Sequence, residues 1–281
     1  MDKNLHLEVI DLDTDDDCDV EINSGGTSIA TVSEKINLNR ITYIKSNRQN
    51  IIFPGYNTKI YTELVNYICS KQKTDLLHSS QCCDSKIEDL LYVFNPRTWL
   101  NDRMIDHYFT LLTKSVKDHS IMSLDPFFLN CFAIYGMEKA TKSIKGTVKN
   151  IFNFDKVIIP TNLQDIHWTF TVVDMKKQTI TLYDSNSKKV NFYESEICLL
   201  LDYLNDAYNF IRKPYDKPFQ WKLRHGRSPL QNNNYDCGIF TCTNARHVLL
   251  GKSLYYSQDD APLLRHRITY EILHDVLLPT P

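Results

Sequence analysis

Four residues of this chain have side chains that together can carry out acyl chemistry at a thiol: Cys237, His167, Asp184 and Gln231. They fall in three short stretches, His167-Trp168, Tyr183-Asp184-Ser185, and a run from Gln231 to Gly238 that reads Gln-Asn-Asn-Asn-Tyr-Asp-Cys-Gly. The thiol supplies a nucleophile and the imidazole a general base. The carboxylate can hold the second imidazole nitrogen and so fix its tautomer. The glutamine amide can donate an N–H to an oxyanion. Taken singly each residue has a commoner role: a buried cysteine, a strand-edge histidine, a turn aspartate, a loop glutamine. Their joint arrangement implies the parts of a cysteine protease.

The elements that must position these groups are legible from periodicity. Residues 168–174 and 179–184 read as two strands joined by the four-residue loop 175–178, which suits a hairpin. His167 then stands at the start of one strand and Asp184 at the end of the next. A helix is expected over 238–250, beginning at the thiol, so that its free N–H groups and positive dipole end face the sulfur. Gly238 is expected to leave room for a substrate backbone. Further helices are expected over 59–68, 86–92, 194–210 and 262–278, the last with Pro262 in its first turn. Asn101 or Asp102 can cap another, whose apolar positions are Met104, Ile105, Tyr108, Phe109, Leu111 and Leu112. Short strands are expected over 157–159, stopped by Pro160, and over 219–223. This order gives an α+β domain with a central mixed sheet flanked by helices. Trp99 and Trp168 offer two aromatic plates that could close over a narrow substrate and admit only glycine, although tryptophans are more often core.

The 281 residues suffice for one large domain with an extension, and 42% hydrophobic and 23% charged residues are ordinary for a globular chain. No apolar run approaches a membrane span, no signal peptide is expected, and the eight scattered cysteines read as reduced thiols. The net charge of −2 conceals an asymmetry, because residues 1–23 carry nine acidic residues and one basic. The remainder, with 31 basic and 25 acidic residues, is too mildly basic to argue for nucleic-acid binding. Residues 1–80 are expected to be an acidic, largely flexible N-terminal extension, with residues 81–281 the catalytic domain. Cys69, His78, Cys82 and Cys83 fit no usual zinc spacing, so no zinc site is expected there.

On these residues the chain resembles the SUMO-specific cysteine proteases of the ubiquitin-like-protein protease family, over roughly residues 85–278. The resemblance rests on Trp99-Leu100-Asn101-Asp102 before an amphipathic helix, on His167-Trp168, on Tyr183-Asp184-Ser185, on Gln231 through Phe240, and on Arg265-His266-Arg267 leading to Glu271-Ile272-Leu273-His274. It departs at Pro160-Thr161-Asn162, where many members have Pro-Ile-His or Pro-Ile-Asn. The resemblance implies a papain-like fold and a Cys237–His167–Asp184 triad with Gln231 at the oxyanion, needing no metal or cofactor. It also implies Trp99 and Trp168 as a tunnel for a Gly-Gly tail, and Asp102 as a contact to the modifier's body. The implied partners are SUMO and SUMO-conjugated proteins, with no nucleic acid or membrane, a monomeric state, and a nuclear or cytoplasmic location. Residues 8–17 join the β-prone Val9, Ile10 and Leu12 to an acidic cluster and resemble a SUMO-interacting segment that adds as a strand to a sheet edge. The alternatives are the same chemistry on another ubiquitin-like modifier or ubiquitin, acyl transfer from the same three groups, and a non-enzymatic SUMO reader.

Overall fold

The computed structural model describes residues 8–10, 44, 46–77, 85–116, 120–145, 150–186, 193–211 and 219–280. A mixed sheet of five strands runs through its centre: β2 (Ile121–Ser123), β3 (Lys156–Leu163), β4 (His167–Asp174), β5 (Thr179–Tyr183) and β6 (Lys222–Gly226). A sixth short strand, β1 (Glu8–Ile10), lies on the outer edge, parallel to β6, with Val9 opposite Leu223. β3, β4 and β5 are antiparallel neighbours, whereas β2–β3 and β5–β6 are parallel pairs.

Helices cover both faces, so β4 is buried along nearly its whole length. Alternate side chains of a strand face opposite sides. Trp168, Phe170 and Val172 therefore join one core, with α2 (Thr58–Ser70), α3 (Ile87–Phe94), α4 (Asp102–Ser115), α7 (Cys237–Leu249) and α8 (Ala261–His274). Val173, with Ile159, Ile180 and Leu182, joins the other core, beneath α5 (Phe128–Ser143) and α6 (Glu194–Ile211).

Several expectations hold at element level. The β4–β5 hairpin, α6, α7 and α8 lie close to where the periodicity places them, and Asn101 rather than Asp102 caps α4, accepting from the Met104 N–H at 3.1 Å. Four differ. β3 continues through Pro160, because β2 ends opposite Ile158 and leaves that side of the strand without a partner to need the missing N–H. β6 lies three residues further along than expected. β2 and α5 had no counterpart in the sequence reading; α5 is interrupted at Gly136, whose φ of 76° is left-handed.

The expected domain boundary near residue 80 is the fourth difference, since it does not mark an edge of packing. Ile52, Phe53, Tyr56, Leu64 and Ile68 are buried in the same core as Cys237. Arg267 donates to the Ile52 carbonyl, and the Tyr56 hydroxyl meets His266 Nδ1 at 2.7 Å. α1 (Gln49–Ile52) and the amphipathic α2 dock on α8, and residues 75–77 bond the backbone at 85–87 that leads into α3. Of the suggested SUMO-interacting residues, Val9 and Ile10 lie in β1, and Leu12 lies outside the described residues.

Where β5 meets β6, Tyr183 sits opposite Gly226 and its ring stacks on Phe170, with centroids 4.8 Å apart. A Cβ on Gly226 would lie 2.3 Å from that ring. Gly226→Ala is therefore expected to destabilise the fold by about 1–3 kcal/mol. Chemical denaturation should show that cost shrinking when Tyr183→Ala is made in the same chain.

Candidate active site

Cys237 is the first residue of α7 and is 2% exposed. That position turns the unpaired N–H groups of the helix start toward the sulfur. Three contacts fix what stands around it. The Thr241 hydroxyl, one turn into α7, donates to the Trp168 carbonyl at 2.9 Å and ties the helix to the start of β4. The Trp168 indole N–H donates to the Leu100 carbonyl at 2.8 Å. Leu100 itself packs on Gly238, where a Cβ would fall 2.8 Å from the leucine Cβ. Gly238 thus allows close packing against Leu100.

The β4–β5 pairing brings His167 and Asp184 together. His167 Nε2 lies 2.5 Å from Asp184 Oδ1, which leaves Nδ1 for the Cys237 thiol, the imidazole's second hydrogen-bond partner. Burial works against charge on the ring. The hydrogen bonds and charges of Asp184 and Cys237 outweigh it and lift the imidazole to about 9. Burial likewise pushes the Asp184 carboxyl up. The His167 hydrogen bond and charge, followed by the Tyr193 hydroxyl and the Asn186 N–H, outweigh that and hold it below its ordinary value.

Gln231 is tethered to Ser185, the neighbour of Asp184. Its backbone N–H donates to the Ser185 carbonyl at 2.9 Å, and its side-chain oxygen accepts from the Ser185 hydroxyl at 2.6 Å. The hydroxyl fixes which end of the amide is which, and one N–H of that amide is given to the Asn233 carbonyl. Trp99 is 44% exposed while Trp168 is 4% exposed and part of the core, so the two expected plates differ in character: one is a surface ring and the other a packed wall. Asp102 opens α4, adjacent to its cap and three residues beyond Trp99.

The residue that unites these parts carried no site role in the sequence reading. Arg265 of α8 is buried and bonds Asp236, immediately before Cys237, through Nε at 3.0 Å and Nη2 at 2.7 Å. Its remaining N–H groups reach the carbonyls of Tyr92, Val93, Asn95, Thr98 and Tyr235. Burial lowers the Arg265 pKa, opposed by the charge of Asp236. Asp236 Oδ2 also accepts from Asn233 and Gln258, each at 2.8 Å. One guanidinium thereby holds the segment that leads to Trp99 against the segment that ends at Cys237. The only sequence signal was Arg265-His266-Arg267 in the middle of an apolar helix, where all three prove buried.

Among the described residues no cluster of His, Cys, Asp and Glu is placed to hold a metal, and no helix is long and apolar enough to cross a membrane. His78, Cys82 and Cys83 lie outside the described residues.

A thiol at a helix start, facing an imidazole that a buried carboxylate holds on the neighbouring strand, is the arrangement of a papain-like thiol protease. The chain belongs to the Ulp1 protease family: the family's C-terminal catalytic domain matches residues 98–277. Among curated proteins it is 30% identical over 187 residues to Sentrin-specific protease 2 of Rattus norvegicus, covering 64% of this chain and 31% of that protein. It is 27% identical over 228 residues to Ubiquitin-like-specific protease 1 of Saccharomyces cerevisiae, covering 80% of this chain and 35% of that protein. The chain thus spans about a third of the length of these curated relatives. Among solved structures it is similar to the C-terminal Ulp1 protease domain in complex with Smt3, the yeast ortholog of SUMO, with a TM-score of 0.65, 24% identity and coverage of 78% of this chain and 96% of that one. It is equally similar, with a TM-score of 0.65, 25% identity and coverage of 80% and 98%, to the SUMO protease Ulp1 with its catalytic cysteine oxidised to a sulfonic acid.

Replacing Arg265 with methionine leaves Asp236 buried without its cation, a change that costs about 3–5 kcal/mol where a buried pair loses one partner. Thermal or denaturant unfolding should show that loss. The double variant Arg265→Met with Asp236→Leu should recover part of it, because the uncompensated charge is gone.

Proposed function

We propose that this chain is a thiol hydrolase that cleaves after the C-terminal Gly-Gly of SUMO, in precursor maturation, in removal of SUMO from target lysines, or in both. The observation that carries the reading is the bridging position of His167, with Nε2 2.5 Å from Asp184 Oδ1 and its other side on the Cys237 thiol. The SUMO substrate is supported by the relatives, which are named as sentrin-specific and ubiquitin-like-specific proteases, and by the neighbouring structure that holds Smt3.

In this reading Cys237, having given its proton to His167, attacks the carbonyl carbon of the last glycine. The C=O electron pair moves to oxygen, and that oxyanion accepts hydrogen bonds from the Gln231 side-chain amide and the N–H groups at the start of α7. The C–N bond breaks as the tetrahedral centre collapses, and the imidazolium donates its proton to the departing amine. A thioester to Cys237 remains. His167 then takes a proton from water, the hydroxyl adds to the thioester carbonyl, and the C–S bond breaks to free the glycine carboxylate and restore the thiol. Asp184 stabilises the imidazolium in both halves of the cycle.

Trp99 and Trp168 flank the glycine tail, which explains a requirement for residues without side chains. Asp102 meets the modifier's body. Val9, Ile10 and Leu12 belong to a segment that binds SUMO by strand addition, a mode supported by the strand geometry that Glu8–Ile10 already adopts on β6. We place the catalytic unit from about residue 46 onward and the protein in the nucleus or cytoplasm.

The test offers the purified protein a panel of modifiers with thiol-reactive C-terminal groups: SUMO paralogues, ubiquitin and other ubiquitin-like proteins. The expected outcome is a covalent adduct with SUMO that Cys237→Ala abolishes. An adduct with a different modifier alone would overturn the substrate. No adduct with any of them, in protein shown to be folded, would overturn the hydrolase reading.

A further inference from the structure

The side chain of Tyr193 approaches Asp184 from the face of the sheet opposite Cys237. Tyr193 immediately precedes α6, is 1% exposed, and packs in the core beneath α5 and α6, whereas Cys237 and Trp168 belong to the core on the other face. Its hydroxyl donates to Asp184 Oδ2. Oδ1 of the same carboxylate accepts from His167 at 2.5 Å and from the Asn186 N–H at 2.9 Å. The two oxygens are thus divided between two tasks: one faces the imidazole and the other is held by the phenol.

We propose that Tyr193 is a positioning residue for the triad: its hydroxyl locks the rotation of the Asp184 carboxylate so that Oδ1 stays on His167 Nε2. The inference rests on the triad assignment made above. A carboxylate at the end of a strand turns freely about its terminal torsion, which is broad. The Asn186 N–H holds Oδ1 from the backbone, and a second fixed donor on Oδ2 sets the carboxylate plane. A phenol suits this purpose because it is a strong donor with a rigid stem. Burial, and then the adjacent Asp184 charge, push its ionisation well above the ordinary tyrosine value, so it remains a donor at any pH the protein meets. The consequence is mechanical: the α6 layer, remote from the thiol, sets the orientation of the group that orients the base.

The experiment measures alkylation of Cys237 by iodoacetamide, read by mass spectrometry, in the full chain and in Tyr193→Phe, Asp184→Asn and the double variant. Phenylalanine keeps the ring and loses only the hydroxyl, and the melting temperature of each variant is recorded. Tyr193→Phe is expected to slow alkylation about tenfold, the size of a hydrogen bond to a charged group. It should have no further effect once Asp184→Asn is present, because the hydroxyl then has no carboxylate to orient. Turnover of SUMO carrying a fluorogenic amide at its C-terminal glycine should show a fall in kcat with KM unchanged. A Tyr193→Phe protein that alkylates at the parent rate, or one whose slowing simply multiplies with that of Asp184→Asn, would overturn the inference. Cys237→Ala separates this from the wider reading. If SUMO amide turnover survives Cys237→Ala, the thiol assignment fails; if it is abolished while Tyr193→Phe is silent in both assays, the positioning role alone fails.

Discussion

The arrangement depends first on one buried ion pair, Arg265 with Asp236. A charge taken out of water must be matched by a partner and by hydrogen bonds to its remaining donors or acceptors. The guanidinium meets that demand with a carboxylate and five backbone carbonyls drawn from two separate segments, 92–98 and 235–236. Moving either segment would leave donors unpaired inside the core. The position of α7, and of the sulfur at its first residue, is therefore tied to that of the chain leading to Trp99. From there the contacts pass to the imidazole: Thr241 holds the Trp168 carbonyl, and His167 precedes Trp168.

A second buried charge network supports the same helices from behind. Glu271, fully buried, accepts from Arg246 at 2.6 and 2.7 Å, from Arg267 at 3.0 Å and from the Tyr108 hydroxyl at 2.7 Å. It joins α4, α7 and α8, three of the helices whose side chains form the core that contains Cys237. Such networks are poor sources of net stability but are costly to break at one member. Here the network links α7 to α8 through the Arg246–Glu271 pair.

The parts of the site that were legible in the sequence are those whose chemistry is local. Asp-Cys-Gly at a helix start, a histidine at the head of an alternating strand and an aspartate at the foot of the next need no distant partner to be noticed. The β4–β5 hairpin and α7 followed from periodicity for the same reason. Arg265, Tyr193 and Ser185 act through contacts that no local pattern shows: Arg265 lies 29 residues from Asp236, Ser185 lies 46 from Gln231, and Tyr193 bonds Asp184 from the core beneath α5 and α6. In the sequence Arg265 stands out only as part of Arg265-His266-Arg267 within an apolar helix, and nothing local marks Tyr193. β2, with three residues, is too short to show a period, and in α5 the left-handed Gly136 interrupts the helical repeat. Pro160 misled because its cost depends on where a neighbouring strand stops. Residues 46–77 misled because polar runs surround the few apolar side chains that dock.

The central claim is that the Cys237 sulfur, the imidazole and the carboxylate are assembled before substrate arrives, with the proton they share resting on His167 at neutral pH. Nuclear magnetic resonance titration of the His167 ring in the free protein tests it most directly. The account predicts an imidazole that is protonated at neutral pH, loses its proton at about 9, and titrates lower in both Asp184→Asn and Cys237→Ala. A ring that titrates near the ordinary histidine value of about 6.5 in the folded protein, unchanged by either substitution, would contradict it.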